Sequence, residues 1–226
     1  MEKFNQNLEK NPEEKVLDFA NLNHEQVQNL KDEIRSHDGL VRVFIHADWY
    51  TDEYEKRIKY PIMRLLRSKN SPPVFFFEDV RYFEDVKKLF EIFDGDEGFL
   101  AKPVYLVKTM QRLPYPIMDG VPLPKTETSD SSISDESVEY GYQSLSRFFI
   151  VLHVLGVKKI LVGGNELIID DTNDVNKCVG NFIKVLDSLR EVGEREVDFP
   201  KIDYKVSEMT GPKNRSDLRG LRNDLL

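Results

Sequence analysis

Four short apolar runs, separated by longer helical patterns, constrain the fold of this chain more than any other feature of its sequence. We interpret them as strands at 41–46, 73–77, 103–107 and 159–162, with a weaker fifth candidate within 196–206. Runs that are apolar at nearly every position are typical of strands buried on both faces of a sheet. Strands that alternate with helices indicate βαβ units. We therefore predict an α/β protein, a Rossmann-like three-layer α/β/α sandwich with a mainly parallel sheet, whose ligands bind at the carboxyl ends of the strands.

Apolar residues at helical spacing fill the intervals between these runs. Asn23 and Gln26 have the spacing of a capping box that begins the first helix, and Gly39 ends it. Pro61 lies inside the second helical pattern and either kinks that helix or splits it in two. The remaining helices are predicted at 52–68, 80–93, 137–155 and 173–192.

Composition along the chain predicts one domain with two extensions. We expect a polar N-terminal arm over 1–22, a single α/β domain over 23–206 and a C-terminal tail over 207–226. The domain contains a long loop at 113–136, rich in proline and then in serine and acids. A loop of this length is either functional, such as a lid, or disordered. We expect its part from 119 to 136 to be the most mobile internal segment.

Charge and hydropathy exclude several classes of protein. The chain has 226 residues, of which 40% are hydrophobic, with 32 basic and 40 acidic side chains and a net charge of −8. The acidic balance argues against nonspecific nucleic-acid binding. No apolar run approaches the roughly 20 residues of a membrane span, and the N-terminus lacks the apolar region of a signal peptide. A single cysteine, Cys178, excludes an internal disulfide framework.

These observations predict a cytoplasmic protein without nucleic-acid or membrane partners. We expect no cofactor and no metal site, and a homo-oligomer remains open.

Three residues near the expected ligand-binding edge form a set with chemical meaning. Asp48 follows the first strand, Lys108 follows the third, and Cys178 lies near the start of the last helix. A thiol is nucleophilic as the thiolate, which a helix N-terminus and a nearby ammonium both favour. Cys178, Lys108 and Asp48 could therefore supply nucleophile, electrostatic activator and general base. Neighbouring residues are assigned to substrate binding: His46, Trp49, Tyr50, Gly164 and Asn165.

The order of these residues resembles that of the isochorismatase-like cysteine hydrolases. The segment Gly141-Tyr-Gln-Ser-Leu-Ser-Arg-Phe-Phe and the segment from Leu155 to Gly164 are similar to that family's helix, turn and strand before the cysteine. The resemblance covers about residues 40–200 and implies an isochorismatase-like fold. It also implies hydrolysis of an amide or related C–N bond in a small-molecule substrate, with Cys178 attacking, Asp48 moving the proton and Lys108 stabilising the thiolate. The 14 positions from Gly164 to Cys178 depart from the family's tight turn.

Other interpretations stay open at this point. Cys178 shares a helical face with Val175 and Phe182, and a free cysteine is often a small buried hydrophobe. Lys108 is equally typical of an ordinary salt-bridge partner, and His46 could be a base or a metal ligand. The chain could then be a non-catalytic α/β module that binds a nucleotide or a protein. A third alternative is a phosphate-directed enzyme that holds a divalent metal with Asp48, Asp79 and Glu166.

Overall fold

The computed structural model describes residues 14–47, 56–124, 133–165, 178–195 and 202–211, and these form one parallel sheet covered by helices on both faces. The strands are β1 (Val16–Asp18), β2 (Leu40–Ile45), β3 (Val74–Asp79), β4 (Val104–Thr109), β5 (Lys159–Asn165) and β6 (Asp203–Gly211). The helices are α1 (His24–Ser36), α2 (Lys56–Leu66), α3 (Phe83–Glu97), α4 (Asp135–Val154) and α5 (Cys178–Arg195), with a 3₁₀ turn at Phe19–Asn21. The α/β class and the parallel sheet are confirmed.

The strand order determines where a ligand site belongs. Across the sheet the strands run β1-β4-β3-β2-β5-β6, and all the neighbouring pairs are parallel. The chain moves outward from β2 through β3 to β4, and then returns to place β5 on the other side of β2. The direction of winding therefore reverses between β2 and β5. In open α/β sheets the crevice at such a reversal, at the carboxyl ends of the strands, is the usual ligand site.

The two faces of the sheet carry separate cores. Helices α1, α4 and α5 pack on one face, where Phe148 contacts Phe75 and Phe77 edge-on. Helices α2 and α3 pack on the other, where Phe76 lies against Phe90. Because successive strand side chains point to opposite faces, these apolar runs supply both cores.

Two local features follow from particular residues. Asn23 Oδ1 accepts from the amide of Gln26, and Gln26 Oε1 accepts from the amide of Asn23, both at 2.9 Å, which confirms the capping box of α1. Helix α2 continues through Pro61 as one helix. None of the described helices combines the length and the apolar character that a membrane span requires.

The sheet includes residues from both the predicted N-terminal arm, 1–22, and the predicted C-terminal tail, 207–226. Strand β1, inside the predicted arm of 1–22, pairs with β4 at the edge of the sheet, and its Val16 and Leu17 are 2% and 4% exposed. Strand β6 runs to Gly211, five positions past the expected domain end at 206. A strand of three residues is too short to show the alternation of apolar and polar side chains that identifies strands in a sequence. Only its pairing with β4 identifies β1.

The first part of the long loop is packed structure. The amide of Ile117 donates to the carbonyl of Lys108 at 2.7 Å, and Pro116 forms an antiparallel bridge with Thr109. Leu113 and Tyr115 are buried in the core. Residues 125–132 lie outside the described residues, so the expected mobility of 119–136 stays a prediction.

Candidate active site

The ends of β2 and β5 approach each other closely. His46 follows β2 with a φ of 44°, in the left-handed region that few non-glycine residues adopt. Ile45 pairs with Gly164 of β5, which has a φ of 120°. A Cβ atom on Gly164 would lie 2.2 Å from the carbonyl oxygen of Ile45. Glycine is therefore required there, and the close approach lies directly beside His46.

The imidazole of His46 joins two elements that are distant in sequence. Its Nδ1 lies 3.1 Å from Sγ of Cys178 in α5, and its Nε2 lies 2.9 Å from Oγ1 of Thr109 at the end of β4. The Thr109 hydroxyl donates to the carbonyl of Met110 at 3.4 Å. Because that hydroxyl is committed as a donor, we assign the His46 tautomer with the proton on Nε2. The Cys178 thiol then donates to Nδ1, and the three side chains form one directed chain of hydrogen bonds.

The surroundings keep this imidazole neutral. Burial lowers the pKa of His46 to about 4, Asp79 acts in the opposite direction, and the cation of Arg81 adds to the lowering. A neutral imidazole at physiological pH retains a lone pair on Nδ1, which can accept the hydrogen bond of the thiol.

A fixed ion pair lies beside the imidazole. Asp79 accepts from the guanidinium of Arg81 at 2.6 Å and from the amide of Arg112 at 2.7 Å. Burial raises the pKa of Asp79, but these hydrogen bonds outweigh it and hold the pKa below its usual value. Asp79 is therefore an ionised carboxylate whose oxygens already accept hydrogen bonds from Arg81 and Arg112. It affects His46 through electrostatic attraction.

Cys178 is the first described residue of α5 and is 7% exposed. Its neighbours Val179 and Phe182 belong to the core of the α4 and α5 face. The thiol thus lies where the core of the α4 and α5 face meets the imidazole of His46.

The structure does not bring Lys108 to Cys178. The ammonium of Lys108 lies 3.6 Å from Asp18 Oδ2, 3.4 Å from Glu84 Oε1 and 4.4 Å from the ring centre of Phe83. Phe83 belongs to the α2 and α3 face of the sheet, opposite Cys178. Alternation along β4 explains the separation, since Lys108 and Thr109 are adjacent and point to opposite faces. Lys108 is a salt-bridge residue in this arrangement.

Several sequence candidates lie outside the described residues: Asp48, Trp49, Tyr50 and Glu166. Asn165 is described by its backbone, which pairs with Gly211 of β6. Within the described ranges, His, Cys, Asp and Glu side chains form no group of three or more suited to a metal ion.

Thr109 is the site residue that sequence reasoning missed. The sequence does contain an indication of it, because Thr109 is the last residue of an apolar strand and so lies at the carboxyl edge of the sheet, as His46 does. Choosing Lys108 instead of Thr109 shifted the site by one residue and therefore to the other face of the sheet.

Comparisons of this chain with protein-family models, with curated proteins and with solved structures found no match.

Proposed function

We propose that this protein is a cysteine-dependent hydrolase that cleaves an amide or related C–N bond in a small molecule. The observation that carries the proposal is the 3.1 Å contact between Cys178 Sγ and His46 Nδ1, with Thr109 orienting the imidazole from its other nitrogen. A nucleophile, an adjacent base and a third group that orients the base are the signature of nucleophilic catalysis. The position of the pair, at the switch point between β2 and β5, supports the same function.

The reaction follows from these roles. Cys178 Sγ attacks the carbonyl carbon while His46 Nδ1 takes the thiol proton. His46 then returns that proton to the leaving nitrogen as the C–N bond breaks, which leaves a thioester on Cys178. Water, deprotonated by His46, attacks the thioester, and the carboxylic acid and free thiol are released. We expect backbone amides next to Cys178 to stabilise the oxyanion in both halves of the reaction.

The proposal differs from the isochorismatase-like resemblance in the identity of the base. That resemblance assigns proton transfer to Asp48 and thiolate stabilisation to Lys108. The contacts of His46 favour the histidine as base instead, and Lys108 is held on the other face of the sheet. The parallel sheet with helices on both faces and a cysteine on the helix that follows β5 still support the resemblance.

An acylation experiment tests the proposal. p-Nitrophenyl acetate should give a burst of p-nitrophenolate, with an acetyl group on Cys178 that mass spectrometry of the intact protein and its peptides detects. Cys178→Ala should abolish both signals, and His46→Gln should lower the acylation rate about 100-fold or more, the usual contribution of a general base. A panel of primary amides and N-carbamoyl amino acids then identifies the substrate class by ammonia release.

Asp48→Asn separates the two assignments of the base. A normal burst in this variant with loss in His46→Gln supports the His46 assignment, and the reverse result supports the resemblance. The absence of any adduct on Cys178 would overturn the proposal.

A non-catalytic binding module is the second candidate, and the burial of Cys178 favours it. The thiol is 7% exposed and packs with Val179 and Phe182, so its hydrogen bond to His46 could serve only to satisfy both groups in the core. In that case iodoacetamide would modify Cys178 only after unfolding, and no acyl adduct would form in the native protein.

A further inference from the structure

A cavity of about 460 Å³ lies away from the Cys178–His46 pair, between α1, α4 and the loop that follows β4. It is the size of a small-molecule site, which typically spans about 300–1,000 Å³. The 3₁₀ turn contributes Phe19 to its lining, and β4 contributes Val107. The cavity thus opens at the β1–β4 side of the sheet.

The walls of this cavity are apolar, and part of that surface faces solvent. Helix α4 contributes Ile150 and Val154, which are 48% and 68% exposed, and the loop contributes Ile117 and Met118. Exposed aliphatic side chains around a concavity mark a binding surface more often than scattered ones do. The body of a ligand in this cavity would therefore be a hydrocarbon.

Two of the side chains that line the cavity are cations without partners within the described ranges. Lys31 comes from α1 and Arg147 from α4, and the Arg147 guanidinium reaches the loop, since a Cβ on Gly120 would meet its terminal nitrogen at 3.4 Å. In the described part of the chain neither Lys31 nor Arg147 has a hydrogen-bond or ion-pair partner. Lys108 also lines the cavity, but its ammonium is turned to the other face of the sheet, where it is paired with Asp18 and Glu84. In a protein of net charge −8, two cations at one cavity that lack partners among the described residues favour an anionic ligand there.

We propose that this cavity binds a small amphipathic carboxylate, with its acyl chain between α1 and α4 and its carboxylate at Lys31 and Arg147. Charge complementarity selects the anionic end, because the lining includes two cations that are unpaired in the described structure, Lys31 and Arg147, and one acid, Asp119. The apolar walls select the chain. This site is separate from the proposed chemistry at Cys178 and does not depend on it.

Calorimetric titration with decanoate tests the proposal, with 1-decanol and decyltrimethylammonium as uncharged and cationic probes. Decanoate should bind with one-to-one stoichiometry and more tightly than either of the others. Arg147→Gln should weaken decanoate binding about fivefold through loss of a charge-assisted hydrogen bond. Ile150→Glu should abolish it, because the new carboxylate repels the ligand and removes apolar wall.

Matched controls lie on α3, across the sheet. Lys88→Gln removes one exposed cation and Ile92→Glu makes the same exchange as Ile150→Glu, both at exposed positions that do not line the cavity, and both should bind decanoate like the wild type. Thermal unfolding of every variant verifies that the fold is retained.

Three results would overturn the proposal. They are absence of decanoate binding, equal binding of the cationic or uncharged probe, and undiminished binding by Ile150→Glu. If the protein does not bind decanoate but co-sediments with phosphatidylglycerol vesicles, the apolar surface binds a membrane instead.

Discussion

At His46, burial and two hydrogen bonds act on a single imidazole. The ring has committed both nitrogens, one to the thiol of Cys178 and one to the hydroxyl of Thr109. Burial makes the site unfavourable for a cation and the charge of Arg81 adds to this effect, so the pKa of His46 falls to about 4 although Asp79 acts in the opposite direction. The same property gives the molecule a pH-dependent stability.

The pH dependence of unfolding should report His46. Its pKa is about 4 in the folded protein and near 6.5 in the unfolded chain, so between these values the unfolded state binds a proton that the folded state excludes. The stabilisation is therefore complete above about pH 6.5 and is lost as pH falls towards 4. Between pH 7.5 and 4.5, urea unfolding of the wild type should lose roughly 2 kcal/mol more than that of His46→Gln.

His24→Gln makes the same exchange at an exposed position of α1 and serves as the control. Its free energy of unfolding should depend on pH as that of the wild type does. Parallel pH profiles for the wild type and His46→Gln would contradict the described environment of the imidazole.

Lys108 gives a second prediction at this scale. Lys108→Met should leave the rate of Cys178 alkylation by iodoacetamide unchanged in the native protein, because its ammonium lies on the opposite face of the sheet from the thiol. His46→Gln should change that rate, since it removes the group in contact with Sγ. The measurement is peptide mass spectrometry over a time course. Equal effects of the two variants would place Lys108 at the site after all.

At the scale of elements, the junction of β2 and β5 controls the geometry of the site. Gly164→Ala should destabilise the protein by about 3 kcal/mol or more, because its Cβ would overlap the backbone of Ile45 and its φ of 120° strains any side chain. Gly95→Ala in α3 is the matched control. No atom lies within 4 Å of its new Cβ, and alanine in a helix should stabilise by up to about 1 kcal/mol. Urea unfolding of both variants checks the contrast.

The loop after β4 has two parts with different expected behaviour. Limited proteolysis should cut first within 119–136, whereas 113–118 should resist, because Leu113 and Tyr115 are buried and Ile117 is bonded to β4. Peptide mapping at early times identifies the cut. First cleavage inside 113–118 would contradict the packing of that segment.

At the scale of the whole molecule, the N-terminal strand completes the sheet. A chain that begins at residue 23 lacks β1 and the 3₁₀ turn, and loses the buried side chains of Val16 and Leu17. Burying two such side chains contributes about 3 kcal/mol or more, so this truncation should lower the free energy of unfolding by at least that amount. A chain that begins at residue 14 keeps every described contact and is the control. Equal stability of the two chains would show that β1 adds nothing to the domain.

The sequence by itself determined the class of fold, the parallel sheet and most element positions. The apolar run at 73–77 predicts a buried strand from its own residues. The pair Asn23 and Gln26 likewise predicts a helix start from side-chain capping, so neither prediction needs tertiary information. The same reasoning placed His46 and Cys178 at the carboxyl edge. It could not find β1, since three residues show no period and only pairing with β4 makes them a strand.

Tertiary structure alone decided which side chains meet at that edge. Adjacent residues of a strand point to opposite faces of the sheet. Thr109 therefore contacts His46, while Lys108 pairs with Asp18 and Glu84 on the face covered by α2 and α3. The contact between His46 and Cys178 spans 132 positions of sequence and depends on β5 lying beside β2. Sequence spacing contains neither the strand order nor the left-handed turn at His46, and both are set by how the whole chain packs its two cores.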